Sequence, residues 1–214
     1  MSNYNYVLKR SARKTISISI QSDNSIIVRC PQKTKIERVE QFLYEKKDWI
    51  EKHLNKNDIV NGYFSDVING KAVLIKGEQV PLSFGNKNSF SMQGVCLTSL
   101  NKIKKVYVDN LGKEFFSLLN SICEQTKLKY SKATFRDYKS RWGCCNAKKE
   151  LSFNYKLLML PKRIWVYVIV HELCHTKYMN HSSAFWNLVA AYLPDYKTSL
   201  KLIKRFSFVC AMYS

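Results

Sequence analysis

Apolar and polar positions alternate from Thr15 to Ile20, which puts Ile16, Ile18 and Ile20 on one face of a strand. Ser22-Asp23-Asn24-Ser25 reads as a turn, Ile26-Ile27-Val28 begins a return strand, and Pro31 closes the hairpin. The period then changes to that of a helix. Ile36, Val39, Phe42, Leu43, Trp49, Ile50 and Leu54 form one apolar stripe over roughly residues 35–54. A second hairpin is expected over 70–84, where Val73, Leu74 and Ile75 are parted from Val80, Leu82 and Phe84 by Gly77-Glu78.

Farther on, Val95–Leu97 and Val106–Val108 read as a short strand pair. A helix is expected over 113–130, with Phe115, Phe116, Leu118, Leu119, Ile122 and Leu128 on its inner side. Short strands follow at 134–138 and 151–155. Pro161 stands at the first turn of the next helix, where its missing N–H costs nothing. That helix, through His175, is apolar almost all round and is therefore expected to be central and buried. Ser182 or Ser183 is placed to cap another helix, and a last helix runs from Pro194-Asp195 to about Phe208. The expected fold class is α+β. A β-rich region with one long helix, 1–110, precedes a domain over 111–214 with a short antiparallel sheet and a central helix.

The central helix carries the chemistry. Three of the four histidines fall between His171 and His181, and His171-Glu172-Leu173-Cys174-His175 reads H-E-x-x-H, the signature of zinc-dependent peptidases. Residues i and i+4 of a helix share a face, so both imidazoles point the same way. A catalytic zinc site usually has three protein ligands and an open position for water. His181, just past the expected helix end, is the third candidate, and Glu172 beside the open position is the candidate general base. Burying such a polar cluster on an apolar helix is costly unless a metal and its neighbours satisfy it. Three imidazoles suit Zn²⁺. Cys174 lies off the ligand face and reads as packing; His53 reads as a surface histidine. Trp142 and Trp186 read as core residues, and Cys144-Cys145 as small buried thiols. Arg141, Tyr178 and Tyr192 are candidate oxyanion stabilisers by side-chain chemistry. The 151–155 strand is expected to form an edge where an extended substrate adds.

Composition adds bounds. A 46% apolar chain of 214 residues can bury a substantial core. Seven scattered cysteines without a C-x-x-C pair point to free thiols in a reducing cytoplasm and away from a cysteine-based zinc site. The start Met1-Ser2-Asn3-Tyr4 is polar, and no apolar run approaches membrane-spanning length, so a cytoplasmic protein without membrane attachment is expected. The net charge of +19 suits acidic partners, nucleic acid included, although no basic arm stands out.

Residues 141–195 resemble the YgjP-like metallopeptidase family, relatives of the SprT-like and Wss1-like zincins. The resemblance rests on Arg141-Trp142-Gly143-Cys144-Cys145, on Leu151 to Leu157, on Val168 to His175, on Asn180-His181-Ser182-Ser183-Ala184-Phe185-Trp186 and on Pro194-Asp195. It implies a zincin-like domain over 111–214 that hydrolyses peptide bonds in protein or peptide substrates. By the same resemblance His171, His175 and His181 are the zinc ligands and Glu172 the base. The histidine spacing is also that of the metzincins, but Tyr178 stands where those carry Gly, and no Met-turn is assignable. The competing reading is a nucleic-acid-associated protein, or a protease of DNA-linked proteins, that works through its basic surface.

Overall fold

The computed structural model describes residues 4–21 and 24–213; Met1–Asn3, Ser22 and Asp23 of the expected first turn, and Ser214 lie outside the described residues. The alternating run and its return strand form β2 (Ser17–Ile20) and β3 (Ile26–Pro31), paired antiparallel after β1 (Tyr6–Ser11). β1, which the pattern did not announce, lies parallel to β3 on its other side. Its basic end and half-exposed residues left little alternation to read. The helical stripe divides into α1 (Ile36–Glu45) and α2 (Lys47–Tyr63). At Lys46 the backbone N–H is shared between the carbonyls of Phe42 and Leu43, both at 3.2 Å, which tightens the turn and parts the helices. Val39, Leu43 and Ile50 still share one core with Ile26, Val28 and Cys30, because the stripe carries through the break. This core belongs to the first of two compact units, Met1–Ser65; the second is Asp66–Ser214.

The second unit starts with α3 (Ser65–Ile68) and the hairpin β4 (Ala72–Ile75) and β5 (Glu78–Phe84). Its two turn residues, Lys76 (φ 52°) and Gly77 (φ 95°), are left-handed. A Cβ on Gly77 would lie 2.6 Å from Pro161 Cγ, so glycine is needed both for the turn and for its close approach to the next helical segment. β6 (Ser89–Ser91) and β7 (Gly94–Leu97) complete a sheet of order β4-β5-β7-β6. Val106–Val108, expected as a strand, lies instead in α4 (Ile103–Thr126). The β-branched residues there suggest strand locally. Burial of Ile103, Val106, Tyr107, Leu111 and Phe115 at helical spacing outweighs that preference. The division expected at 110/111 therefore falls inside a helix. The Tyr107 hydroxyl donates to the Leu74 carbonyl at 2.7 Å, which ties the preceding sheet to this helix and so to the second unit.

β8 (Lys132–Arg136), β9 (Gly143–Cys145) and β10 (Glu150–Asn154) form the sheet that carries the site. Its order is β8-β10-β9, with β10 parallel to β8 and antiparallel to β9. The sheet is thus mixed, not antiparallel. The 151–155 strand, expected at an edge, is central and already paired on both sides; β8 and β9 are the edges. A 3-10 turn (Tyr155–Met159) leads into α5 (Lys162–His175), followed by α6 (Ser183–Tyr192), α7 (Tyr196–Arg205) and α8 (Ser207–Ala211). The architecture is α+β. Phe115 of α4 sits 5.0 Å from Phe153 and 5.6 Å from Trp165 between ring centroids, joining α4, the inner face of the sheet and α5. Such aromatic pairs contribute about 0.5–1.5 kcal/mol each beyond their buried area. Glu114 of α4 accepts from Lys76 at 2.7 Å and pairs with Lys162 at the start of α5; both bonds hold its carboxyl below its usual range.

Candidate metal centre

Every residue of α5 from Ile164 to His175 except Val166 and His171 is buried, so the helix is fixed in rotation by its surroundings. The i,i+4 spacing brings the rings of His171 and His175 to 4.9 Å between centroids. The helix closes with the backbone N–H groups of Lys177 and Tyr178 both donating to the Cys174 carbonyl, at 3.1 and 3.0 Å. The chain then reverses into α6, where Ser182 Oγ accepts from the Phe185 N–H at 3.4 Å, as the cap reading expected. His181, next to that cap, swings back over α5. Its Nε2 lies 3.1 Å from His171 Nε2, and one ligand atom from each of the three histidines falls within 4.8 Å of the others.

Neighbouring groups settle the ring orientations. His175 Nδ1–H donates to the Tyr178 carbonyl at 2.9 Å, leaving Nε2 as its free lone pair. Phe185 stacks on His175 with centroids 4.4 Å apart. Trp186, expected in the core, is half-buried and stacks on His181 at 5.6 Å and 25°, with Tyr196 on its other flank at 5.4 Å. Burial, then the neighbouring His175 and His181, pushes His171 down to about 3, so the ring stays neutral, which is the ligating form. Two unprotonated imidazole nitrogens 3.1 Å apart repel unless a proton or cation lies between them. The donor set, its protonation and its spacing fit a divalent cation such as zinc, whose bonds to histidine are about 2.0–2.1 Å long.

Glu172 is 5% exposed, and burial raises its carboxyl to about 8, opposed by the charge of Arg141. It lies against β9 so closely that a Cβ on Gly143 would stand 2.6 Å from Glu172 Oε1 and 2.7 Å from its Cγ. Glycine at 143 is what lets the carboxylate lie between helix and strand. No hydrogen bond from another described residue reaches that carboxylate.

The loop between β8 and β9 is held by polar residues that the sequence reading passed over. Asn154 Nδ2 donates to the carbonyls of Tyr138 (2.8 Å) and Arg141 (3.0 Å). The fully buried Lys156 pairs with Asp137 at 2.9 Å and donates to the Cys210 carbonyl at 3.0 Å. The available signal was Asn154 and Lys156 inside 151–160, a stretch that apart from Ser152 is otherwise apolar or aromatic. Of the oxyanion candidates, Tyr192 is engaged elsewhere: its hydroxyl donates to the Thr126 carbonyl at the end of α4, at 2.9 Å. Tyr178 contributes its backbone to His175, and Arg141 stays exposed beside Glu172. Cys174 is buried in packing and Cys145 faces the same interior, while Cys144 is half-exposed.

The YgjP-like metallopeptidase domain matches residues 14–206, and the chain belongs to that family. Searches of curated proteins and of solved structures returned no match. No helix among the described residues is long and apolar enough to cross a membrane.

Proposed function

We propose that this protein is a zinc-dependent peptidase in which His171, His175 and His181 hold the metal and Glu172 is the general base. The observation that carries the reading is the meeting of the three imidazoles, with a buried carboxylate next in the chain to the first of them. When bound, zinc supplies a Lewis acid that polarises the scissile carbonyl and lowers the pKa of water. Glu172 accepts the proton of the attacking water and passes it to the leaving amine. A nearby cation favours the ionised carboxylate, so metal loading draws Glu172 down from about 8 toward the base form. Gly143 and the walls of β9 and α5 hold the carboxylate in place and limit water access around it.

The free edge of β9 suits an extended substrate backbone, because no other described strand pairs with it and it passes directly over Glu172. Substrate is therefore assigned to β9 rather than to β10. The test is metal analysis of the purified protein, followed by digestion of an unbiased peptide library. Zinc near one equivalent and cleavage that falls by about 10²–10⁴-fold in Glu172→Gln, with zinc retained, are expected. Full cleavage by Glu172→Gln would refute the mechanism.

A further inference from the structure

The face of the β8–β10–β9 sheet that turns away from α5 is not used by the chemistry above. Strand alternation sends Phe135, Leu151, Phe153 and Cys145 inward and Lys132, Thr134, Arg136, Ser152 and Cys144 outward. The outward residues, with Tyr138, line a groove of about 470 Å³, within the usual range for ligand-binding clefts of about 300–1,000 Å³. We propose that this groove docks an acidic polypeptide segment of the substrate, next to the part of the chain that lies along β9. The proposal rests on the peptidase reading and adds a substrate class to it.

Charge is the first argument. Between Lys127 and Lys149 the chain has eight basic residues and one acidic one, Asp137. Asp137 is paired with the buried Lys156, so it does little to offset the basic surface. One carboxylate, Glu150, lines the groove opposite Lys132 in the strand register, and it accepts from Asn146 Nδ2 at 2.7 Å, against the two cations Lys132 and Arg136 on the same face. Lys132 and Arg136 are exposed and have no carboxylate partner among the described residues. Guanidinium and ammonium groups beside hydroxyls match carboxylates, and a positive field steers acidic chains toward the groove.

Continuity is the second. Tyr138 forms a groove wall, its hydroxyl 2.8 Å from Ser152 Oγ, and the Arg141 guanidinium stands 5.5 Å from the Tyr138 ring centroid. Two residues beyond Arg141, Gly143 touches Glu172. A single loop, held by Asn154, thus joins the groove to the candidate site.

Polypeptide is favoured over polynucleotide by two features. The edge of β9 offers main-chain hydrogen bonds, which suit a peptide backbone. The groove holds one aromatic ring, and Arg141 lies over it, so it offers no row of aromatic faces for successive bases.

The test uses full-length, zinc-loaded Glu172→Gln, so that binding is read without cleavage. Fluorescence anisotropy compares a labelled Asp/Glu-rich peptide, the same peptide with Asn/Gln at those positions, and a single-stranded oligonucleotide of equal length. The acidic peptide is expected to bind at least tenfold more tightly than its neutral counterpart and to weaken with salt. Lys132→Glu with Arg136→Glu should lower that affinity at least tenfold, whereas Lys201→Glu with Lys204→Glu on α7 should leave it unchanged. Thermal melts monitor folding, and Lys132→Gln with Arg136→Gln serves if the reversed pair does not fold. Equal affinity for acidic and neutral peptides, or full affinity in the groove variants, overturns the proposal. So does oligonucleotide binding that is tighter and depends on Lys132 and Arg136. A wild-type protein that binds the acidic peptide but cleaves nothing would refute the peptidase reading while leaving the groove standing.

Discussion

Lys156 and Glu172 are both buried in the second unit, yet they are treated in opposite ways. The Lys156 ammonium meets Asp137 and the Cys210 carbonyl, and the neighbouring Asn154 uses both ends of its amide, Nδ2 toward the loop and Oδ1 toward the Lys156 N–H. The Glu172 carboxyl receives no hydrogen bond from another described residue, and His171 Nδ1, one residue earlier in the chain, is buried without a partner among the described residues. A buried polar group left unmatched costs about 1–3 kcal/mol. The first cluster therefore acts as a structural staple, satisfied within the chain. The second is left open on the side where a cation and a substrate would complete it. The difference teaches that partner count, not burial, separates the two roles here.

The comparison breaks most sharply in the metal. His181→Ala should weaken zinc binding by more than about 100-fold, beyond the 10–100-fold typical of groups that only support a ligand. Because His181 is exposed, the melting temperature of the metal-free protein should barely move. Titration against a competing chelator, with a melt on the same sample, reads both quantities.

Asp137→Ala should do the reverse. Breaking a buried ion pair from one side costs about 3–5 kcal/mol, and the partial exposure of Asp137 (39%) moves the expectation to the lower end or below. Urea unfolding should show the loss with and without zinc. A variant that lost zinc but no stability would make Lys156 part of the metal site rather than a staple.

Gly143→Ala sharpens the Glu172 half. Its methyl would collide with the carboxyl group, and a displacement near 1 Å costs about 10²-fold in rate. Zinc content should be unchanged while kcat falls. Trp186→Ala, which removes the ring stacked on His181, should weaken zinc by about tenfold, and Trp186→Phe should recover part of that loss.

The smallest effect is in pH. Unfolded His171 takes a proton near 6.5 but the folded ring only near 3, so between these values the unfolded state binds more protons and stability falls with falling pH. Glu172 has the opposite sign. The folded carboxyl holds its proton to about 8 and the unfolded one to 4.5, so stability falls as pH rises through that window. The two oppose each other between 4.5 and 6.5, where the metal-free protein should be flattest in stability. Zinc requires neutral imidazoles and favours an ionised carboxylate, so it should move the optimum upward. Melting curves across pH, with and without chelator, show whether it does.

Much of this was legible along the chain because it is local. The i,i+4 pair on α5, the Ser182 cap and the β2–β3 and β4–β5 hairpins depend on residues a few positions apart, where spacing and turn chemistry carry the information. Val106–Val108 shows the limit. Its residue types favour strand, and only burial of one helical face against the sheet before it and the aromatic core after it reversed that preference. The same holds for β10, which reads as a strand in sequence but whose central position depends on β8 and β9 arriving on either side.

The sequence by itself determined which groups the candidate site can draw on: three imidazoles and the carboxylate of the candidate base, two of the rings on one face by helical geometry. Tertiary structure alone decided that His181 returns to within 3.1 Å of His171, that Glu172 lies against a glycine of β9, and that Lys156 is neutralised by Asp137 rather than serving the site. The physical reason is range. Side-chain periodicity is set by bonds and dihedrals within one element, whereas burial, pairing and edge position are set by which elements meet, and that depends on packing of the whole unit.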